Sequence, residues 1–124
     1  MEYQIIMTNI EINVVEDFHP RPYGRDPEDS PGCELTCGKK FREEKLAPAL
    51  KEAISNNSQV IVDLTGYNRY GRSFLDEAFG GLIRESGFTG EQVKNRVIYK
   101  HLHLKSVINI IRDRIEAAIQ GAPK

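Results

Sequence analysis

The chain has 124 residues, with 17 basic and 18 acidic side chains and a formal net charge of −1 at pH 7. This length is typical of one domain, and we expect a single domain over residues 1–124. The balanced charge argues against a long-range field of one sign, which would recruit nucleic acid or an anionic membrane.

The first ten residues, MEYQIIMTNI, lack the basic start and the long apolar run of a signal peptide. No apolar run reaches the roughly 20 residues that cross a bilayer. We therefore expect a cytoplasmic protein. The two cysteines, Cys33 and Cys37, are compatible with that compartment, although one disulfide could still form between them.

The chain starts with alternating apolar side chains and then changes composition. Residues 2–19 include Ile10, Ile12 and Val14 at every second position, which predicts one or two strands with a half-buried face. Residues 19–38 contain four prolines and three glycines, which predicts a long loop. A loop of this length is uncommon inside a compact domain unless it has a function. It is therefore either a binding feature or an insertion without a role.

Two helices and a strand are predicted next. Residues 39–55 have an apolar stripe at helical spacing, with a kink at Pro48 or a break in which Pro48 opens the second piece. The β-branched run 59–64 is typical of a strand that is buried on both faces. Residues 73–87 form a helix that ends at Gly87.

The last two elements are a strand and a helix. Residues 95–103 alternate as a strand does, and residues 105–120 place isoleucines on one helical face. The element order predicts an α/β fold with a mixed sheet of four or more strands, with 59–64 central, packed against about three helices. The residues that we expect to be largely buried are Ile61, Leu64, Leu75, Phe79, Leu82, Ile108 and Ile111.

Ser73 follows a buried strand and a glycine-bounded loop and opens a predicted helix. Asp76 lies three residues later, so the pair has the spacing of a capping box, in which the hydroxyl would accept a backbone N–H. The alternative is a phosphorylation site, because a phosphate there would meet unpaired N–H groups and the positive end of the helix.

The segment GRSFLDEAFGGL at 71–82, with VDL at 62–64 and FREEKLAPAL at 41–50, resembles a known family. It is similar to the STAS-like domain family of uncharacterised function (DUF4325), which is remotely similar to bacterial anti-sigma-factor antagonists. The resemblance covers roughly residues 5–120. In the antagonists a switch serine begins a helix after a buried strand, and Ser73 falls on that position. They have an acid where this chain has Gly71 and a small residue where it has Phe74.

The resemblance implies a non-catalytic regulatory protein-interaction module with possible phospho-regulation at Ser73. The implied partner is a histidine-kinase-type ATP-binding protein that acts as a serine kinase or anti-sigma factor, with no nucleic acid and no membrane bound. Our candidate partner-binding residues are Tyr70, Gly71, Arg72, Ser73, Phe74, Asp76 and Glu77.

Other candidate sites have simpler explanations. Arg21, Arg25 and Lys39 flank the long loop and are candidates for binding an anion, although charge in a loop is usually only solvated. Cys33 and Cys37 supply two soft ligands where zinc sites normally have four. His101 and His103, two apart on a strand, would share one face and are explained most simply as packing or exposed histidines.

Gly80 and Gly81 inside a helix cost about 2 kcal/mol relative to two alanines. Such a pair indicates close approach by another backbone, and we favour one inside the domain over one from a partner. The sequence has no P-loop, HExxH or G-x-S-x-G motif, so we expect no catalytic residue, cofactor or metal.

Two other functions stay open. The chain could be a small enzyme or ligand-binding domain that uses the 19–40 loop, with His19, Arg25 or Cys37 in its chemistry. It could also be a structural adaptor in a larger assembly.

Overall fold

A computed structural model describes residues 8–121 of the chain. Within these residues the strands are β1 (Ile10–Asn13), β2 (Val60–Asp63) and β3 (Val97–Lys100). They form one sheet in the order β1-β2-β3, and both neighbouring pairs are parallel. Each parallel connection therefore needs a crossover, which the helices supply.

The predicted mixed sheet of four or more strands is wrong, because residues 8–121 form three parallel strands. The central position of 59–64 is confirmed. The alternation after Ile12 ends early: Val14–Asp17 is a helical turn, and the Asn13 side chain caps it by accepting the N–H of Glu16 at 3.0 Å. Residues 2–7 of the predicted strands lie outside the described residues.

Two of the helices, α3 and α4, consist of three consecutive segments each. In both, the first and last segments are α-helical and the second is a π-helical turn. The helices are α1 (Val14–Asp17), α2 (Cys33–Thr36), α3 (Gly38–Phe41, Arg42–Leu46 and Ala47–Asn56), α4 (Arg72–Leu75, Asp76–Gly80 and Gly81–Arg84), α5 (Gly90–Arg96) and α6 (Lys105–Gly121).

The break predicted at Pro48 takes the form of the π turn in α3. The N–H of Ala47 donates to the carbonyl of Arg42, five residues earlier, and Pro48 then falls in the first turn of the last α-helical segment. Because α3 continues through this point, Pro48 removes one hydrogen bond of the helix, and the π turn directly before it is the local departure from α-helical geometry. Asn57 ends α3 in a left-handed conformation.

The helix α5 was missed in the sequence. Its start is a capping box in which Thr89 Oγ1 accepts the N–H of Gln92 and Gln92 Oε1 accepts the N–H of Thr89, both at 3.0 Å. The signal was the Thr-x-x-Gln spacing. The seven-residue helix between a loop and β3 leaves too few turns for a clear apolar stripe.

The sheet has one buried face and one that is partly open. Val60 and Val62 of β2 and Leu64 directly after it are fully buried, whereas Ile61 and Asp63 on the other face are half-buried. The prediction that both faces of 59–64 are buried is therefore wrong within the described residues. The helices pack on the first face.

Most of the predicted core is confirmed. Phe79 in α4 packs its ring against Tyr99 of β3, with 5.8 Å between the ring centroids. Ile61 and Ile108 are half-buried. The predicted residues that are fully buried are Leu64, Leu75, Phe79, Leu82 and Ile111.

Candidate functional site

Ser73 lies at the exposed beginning of α4, which starts where the loop after β2 ends. Gly71 is the capping residue, with extended backbone angles and no side-chain hydrogen bond to the helix. Ser73 is already the second helical residue, so the predicted capping box is wrong. Its hydroxyl forms none of the hydrogen bonds found among the described residues, and the residue is exposed.

The loop between β2 and α4 is held against the loop that follows β3. Tyr70 donates its hydroxyl to the carbonyl of Leu64 at 2.9 Å, and Nε2 of His101 lies 2.9 Å from the carbonyl of Tyr67. Thr65 Oγ1 accepts the backbone N–H of Leu102 at 2.9 Å. The two loops at this end of the sheet therefore form one unit.

Aromatic packing fixes the direction in which the first turn of α4 faces. The ring of Phe74 lies 5.9 Å from the rings of Phe41 and Tyr70 and 6.4 Å from the ring of Phe18. With Phe74 facing the core, Ser73 faces solvent.

Four of the predicted partner-binding residues are buried in this structure. Tyr70 and Phe74 belong to the aromatic cluster, and burial, together with the charge of Asp63, raises the pKa of Tyr70. Asp76 and Glu77 are also buried. These four side chains are therefore not accessible to a partner in this structure, and the accessible candidates are Gly71, Arg72 and Ser73. Partner binding by any of the seven stays a prediction.

Asp76 is buried among arginines that come from three parts of the chain. Arg25 of the long loop donates to Asp76 Oδ2 at 2.8 Å, and Arg84 donates to both carboxylate oxygens at 3.0 and 3.2 Å. Arg114 of α6 lies 3.7 Å away. Burial alone would raise the pKa of Asp76, but the hydrogen bonds and charges of Arg25 and Arg84 outweigh it and hold the pKa below its ordinary value.

Glu77 forms the second half of this buried cluster. Arg42, from the π turn of α3, donates through Nη1 to Glu77 Oε2 and to the Glu77 carbonyl, both at 2.7 Å. Its Nε donates to Ser86 Oγ at 3.1 Å, and its side chain is 3% exposed. Asp76, Glu77, Arg25, Arg42, Arg84 and Arg114 are called the ionic cluster below.

The paired glycines of α4 make room for this cluster. A Cβ on Gly81 would collide with the Arg42 guanidinium, and one on Gly80 would lie 2.7 Å from Arg84 Nη1 and 3.3 Å from the carbonyl of Arg114. Close packing inside the domain is confirmed, but only Gly80 is approached by another backbone, whereas the neighbour of Gly81 is a side chain. The glycines were the sequence signal for this packing, but they did not identify Arg42, Arg84 or Arg114 as the partners.

Arg25, a candidate for binding an anion, contacts two carboxylates of the chain itself. Its Nη1 donates to Asp76 at 2.8 Å and to Glu77 at 3.3 Å, and the bond to Asp76 is the main reason why the pKa of Arg25 is raised. Lys39 is half-buried in a cavity of about 340 Å³ that is lined by several acids. Arg21 is exposed, and its N–H donates to Nδ1 of His19 at 3.0 Å.

The remaining candidates are mostly buried. Cys33 and Cys37 are free thiols, and burial raises the pKa of Cys37, which disfavours its thiolate. His101 is buried and His103 is exposed. Both follow the end of β3, and their rings lie edge to face with 6.3 Å between the centroids. Between residues 8 and 121 no three His, Cys, Asp or Glu side chains are grouped so that they could hold a metal ion.

Among the described residues no helix is both long and apolar enough to span a bilayer.

Comparisons with known proteins identify the family. No curated protein and no solved structure matches the chain. The family model of a STAS-like domain of unknown function (DUF4325) matches residues 37–106, which is more than half of the chain and includes α3, β2, α4 and β3. The chain therefore belongs to this STAS-like family.

Proposed function

We propose that the chain is a non-catalytic regulatory module that binds a protein partner through the exposed first turn of α4. In this proposal, phosphorylation of Ser73 controls the binding. The observation that carries it is the exposed Ser73 hydroxyl, which has no hydrogen bond among the described residues, at the start of the helix that follows the central strand.

The ionic cluster supports a phosphate at this position. In sequence, Asp76 and Glu77 lie close enough to Ser73 to repel a phosphate on it. Both carboxylates are instead buried and paired with arginines, with Arg42 on Glu77 at 2.7 Å and Arg25 on Asp76 at 2.8 Å. A phosphate brings close to two negative charges, and Arg72 beside it would attract them.

The partner that we propose is a histidine-kinase-type ATP-binding protein that acts as a serine kinase or anti-sigma factor. This identity rests on the remote similarity to anti-sigma-factor antagonists, in which a serine at this position is the switch. A phosphate in the interface loses its hydration, and that desolvation costs several kcal/mol unless new contacts replace the water. Phosphorylation would then release the partner.

The test is a binding titration against purified histidine-kinase-type ATP-binding proteins from the same genome. We expect wild type and Ser73→Ala to bind one of them alike, and Ser73→Asp to bind at least tenfold more weakly, which is about 1.4 kcal/mol. Ser55→Asp is the matched control, because Ser55 is an exposed serine near the far end of α3. Incubation of the binding protein with ATP and wild type should place phosphate on Ser73, as mass spectrometry would detect.

Two results would contradict the proposal. One is that none of these proteins binds the chain. The other is that Ser73→Asp binds as wild type does and that none of these proteins phosphorylates Ser73.

A further inference from the structure

The loops at the carboxyl ends of β2 and β3 carry exposed cations and no acid of their own. Segments 64–75 and 100–112 contain no Asp or Glu. Within residues 8–121, five exposed cations of these segments form no ion pair. One of them, Arg112, lies inside α6 and bonds to Asn109, whereas the other four lie in the loop, at the end of β3 or at a helix start. These four residues, Arg69, Arg72, Lys100 and Lys105, are called the basic end below.

The basic end is one surface, because hydrogen bonds join the two segments. Leu64 donates its N–H to the carbonyl of Lys100 at 2.8 Å, next to the bond from Leu102 to Thr65 described above. The nearest acid in the sheet is Asp63, which is in register with Lys100. Burial alone would raise the pKa of Asp63, but hydrogen bonds from Thr65 and the charge of Lys100 outweigh it and lower that pKa.

Two of the cations are in positions that disfavour a positive charge. Arg72 is the first residue of α4 and Lys105 is the first residue of α6. Cations are unfavourable at the positive end of a helix, where acids are stabilising. Neither first turn contains an acid, whereas the first turn of α5 has Glu91. Local rules that are broken without compensation tend to mark functional sites.

An apolar side chain lies within this positive surface. Leu102 is 78% exposed, the highest value among the exposed large hydrophobic residues. Its backbone is held by Thr65 Oγ1 at 2.9 Å, and its neighbour His101 is buried. A single exposed leucine is ordinary. This one, however, is fixed in position between unpaired cations.

We propose that the basic end is a docking surface for an acidic protein segment, whose carboxylates contact Arg69, Arg72, Lys100 and Lys105 and whose apolar side chain covers Leu102. The inference rests on the proposed function and adds the chemistry of the partner. Charge complementarity favours acid, because carboxylates would relieve the repulsion at both helix starts. Nucleic acid fits less well, because Tyr70 is buried and Tyr67 half-buried, so neither is a free stacking platform.

This chemistry also explains why a phosphate at Ser73 would release the partner. Its charge of close to −2 would fall beside Arg72, among four positive charges. The phosphate would offset about half of the positive charge that attracts the acidic segment.

The probe for the test is a synthetic 15-residue peptide in which Asp and Glu surround a central Phe-Leu pair. We expect it to shift the backbone NMR signals of 65–73 and 100–105 in the ¹⁵N-labelled full chain, and to bind more weakly as salt is added. Arg72→Glu/Lys105→Glu should weaken binding at least tenfold, and Leu102→Ser should weaken it severalfold. The control is Lys45→Glu/Lys51→Glu, with the same change of charge at two exposed positions of α3, which should change binding less than twofold.

Three results would overturn the inference. The first is that the peptide shifts no NMR signals at 1 mM, and the second is that Arg72→Glu/Lys105→Glu binds the peptide as the control variant does. The third is that DNA duplexes or phosphatidylserine vesicles bind the same residues more tightly than the peptide does.

The two proposals fail separately. If the peptide binds the basic end and no ATP-binding protein does, only the proposed function fails. If an ATP-binding protein responds to Ser73→Asp but not to the double reversal, only this inference fails.

Discussion

The helix α4 has two groups of charged residues in opposite environments, one exposed and unpaired, the other buried and paired. In its first turn, Arg72 is exposed and forms no ion pair within residues 8–121. In its second turn, Asp76 and Glu77 are buried and receive hydrogen bonds from arginines of the loop, α3 and α4 itself. Neighbouring turns of one helix thus belong to a cluster of buried, paired charges and to a surface of exposed, unpaired ones.

The difference shows where a charge contributes to folding and where it is available for binding. A buried charge must find its partners inside the chain, because leaving it unpaired is costly. An exposed charge is solvated, so it can remain unpaired until a partner arrives. The ionic cluster should therefore respond to mutation through stability, and the basic end through binding.

The largest effect is expected from Arg42→Ala. This change leaves Glu77 buried with only the 3.3 Å contact to Arg25, and breaking a buried pair typically costs 3–5 kcal/mol. Urea unfolding at neutral pH measures the loss. The matched control is Lys40→Ala, which removes an ion pair of 2.8 Å with Glu44 on the surface of the same helix. It should cost about 0.5 kcal/mol or less, and equal costs for the two variants would contradict the comparison.

A second prediction concerns acid. The pKa of Asp76 is lower in the folded chain than its ordinary value, and an unfolded Asp titrates near pH 3.9. The unfolded chain therefore takes up this proton first on acidification. The stabilisation by Asp76 is present above about pH 4 and is lost as the pH falls through the folded pKa.

Urea unfolding at several pH values between 5 and 3 tests this. Wild type should lose stability with a steeper slope than Asp76→Asn, which has no carboxyl to titrate. Asp63→Asn is the second variant for comparison. The pKa of Asp63 is also lowered, but Asp63 lies outside the ionic cluster. If wild type and Asp76→Asn have parallel slopes, Asp76 is not the titrating group.

Local patterns predicted much of the fold. The β-branched run of β2 and the apolar stripes of α3, α4 and α6 were sufficient to place these elements, because burial imposes a regular period on the sequence. The number of strands was not predictable in this way. The alternation continues through Val14, but Asn13 caps a helical turn there instead.

The site was predicted less well, since its contacts are distant in sequence. Arg25 and Asp76 are 51 residues apart, and Arg42 and Glu77 are 35 apart. The pairing of an arginine with an acid follows no repeating spacing in the sequence, so the spacing does not predict which acid an arginine contacts. Ser73 was predicted correctly as lying near a helix start, but the extended backbone of Gly71 makes Gly71 the cap and moves Ser73 into the first turn.

That one-residue shift leads to a smaller and sharper prediction. Ser73→Ala should change the free energy of unfolding by no more than about 0.5 kcal/mol, as expected for a surface position without a structural contact. Thr89→Ala removes a real capping box and should cost about 1 kcal/mol. Urea unfolding of the two variants side by side measures both. A loss of about 1 kcal/mol for Ser73→Ala would show that its hydroxyl caps α4 after all.

The last effect has the opposite sign and separates the two regions most clearly. Arg72→Glu places an acid in the first turn of α4, where the helix dipole favours it, and should raise stability by about 0.3–1 kcal/mol at low ionic strength. The gain should shrink as salt is added, because the position is exposed. Thermal and urea unfolding at two salt concentrations measure it, with Lys51→Glu as the control far from any helix start. In the ionic cluster a lost arginine should cost stability. At the basic end a reversed arginine should increase stability and reduce binding of the acidic segment, which is expected if Arg72 is retained for recognition. If Arg72→Glu destabilises the chain instead, Arg72 has a structural contact and belongs with the cluster.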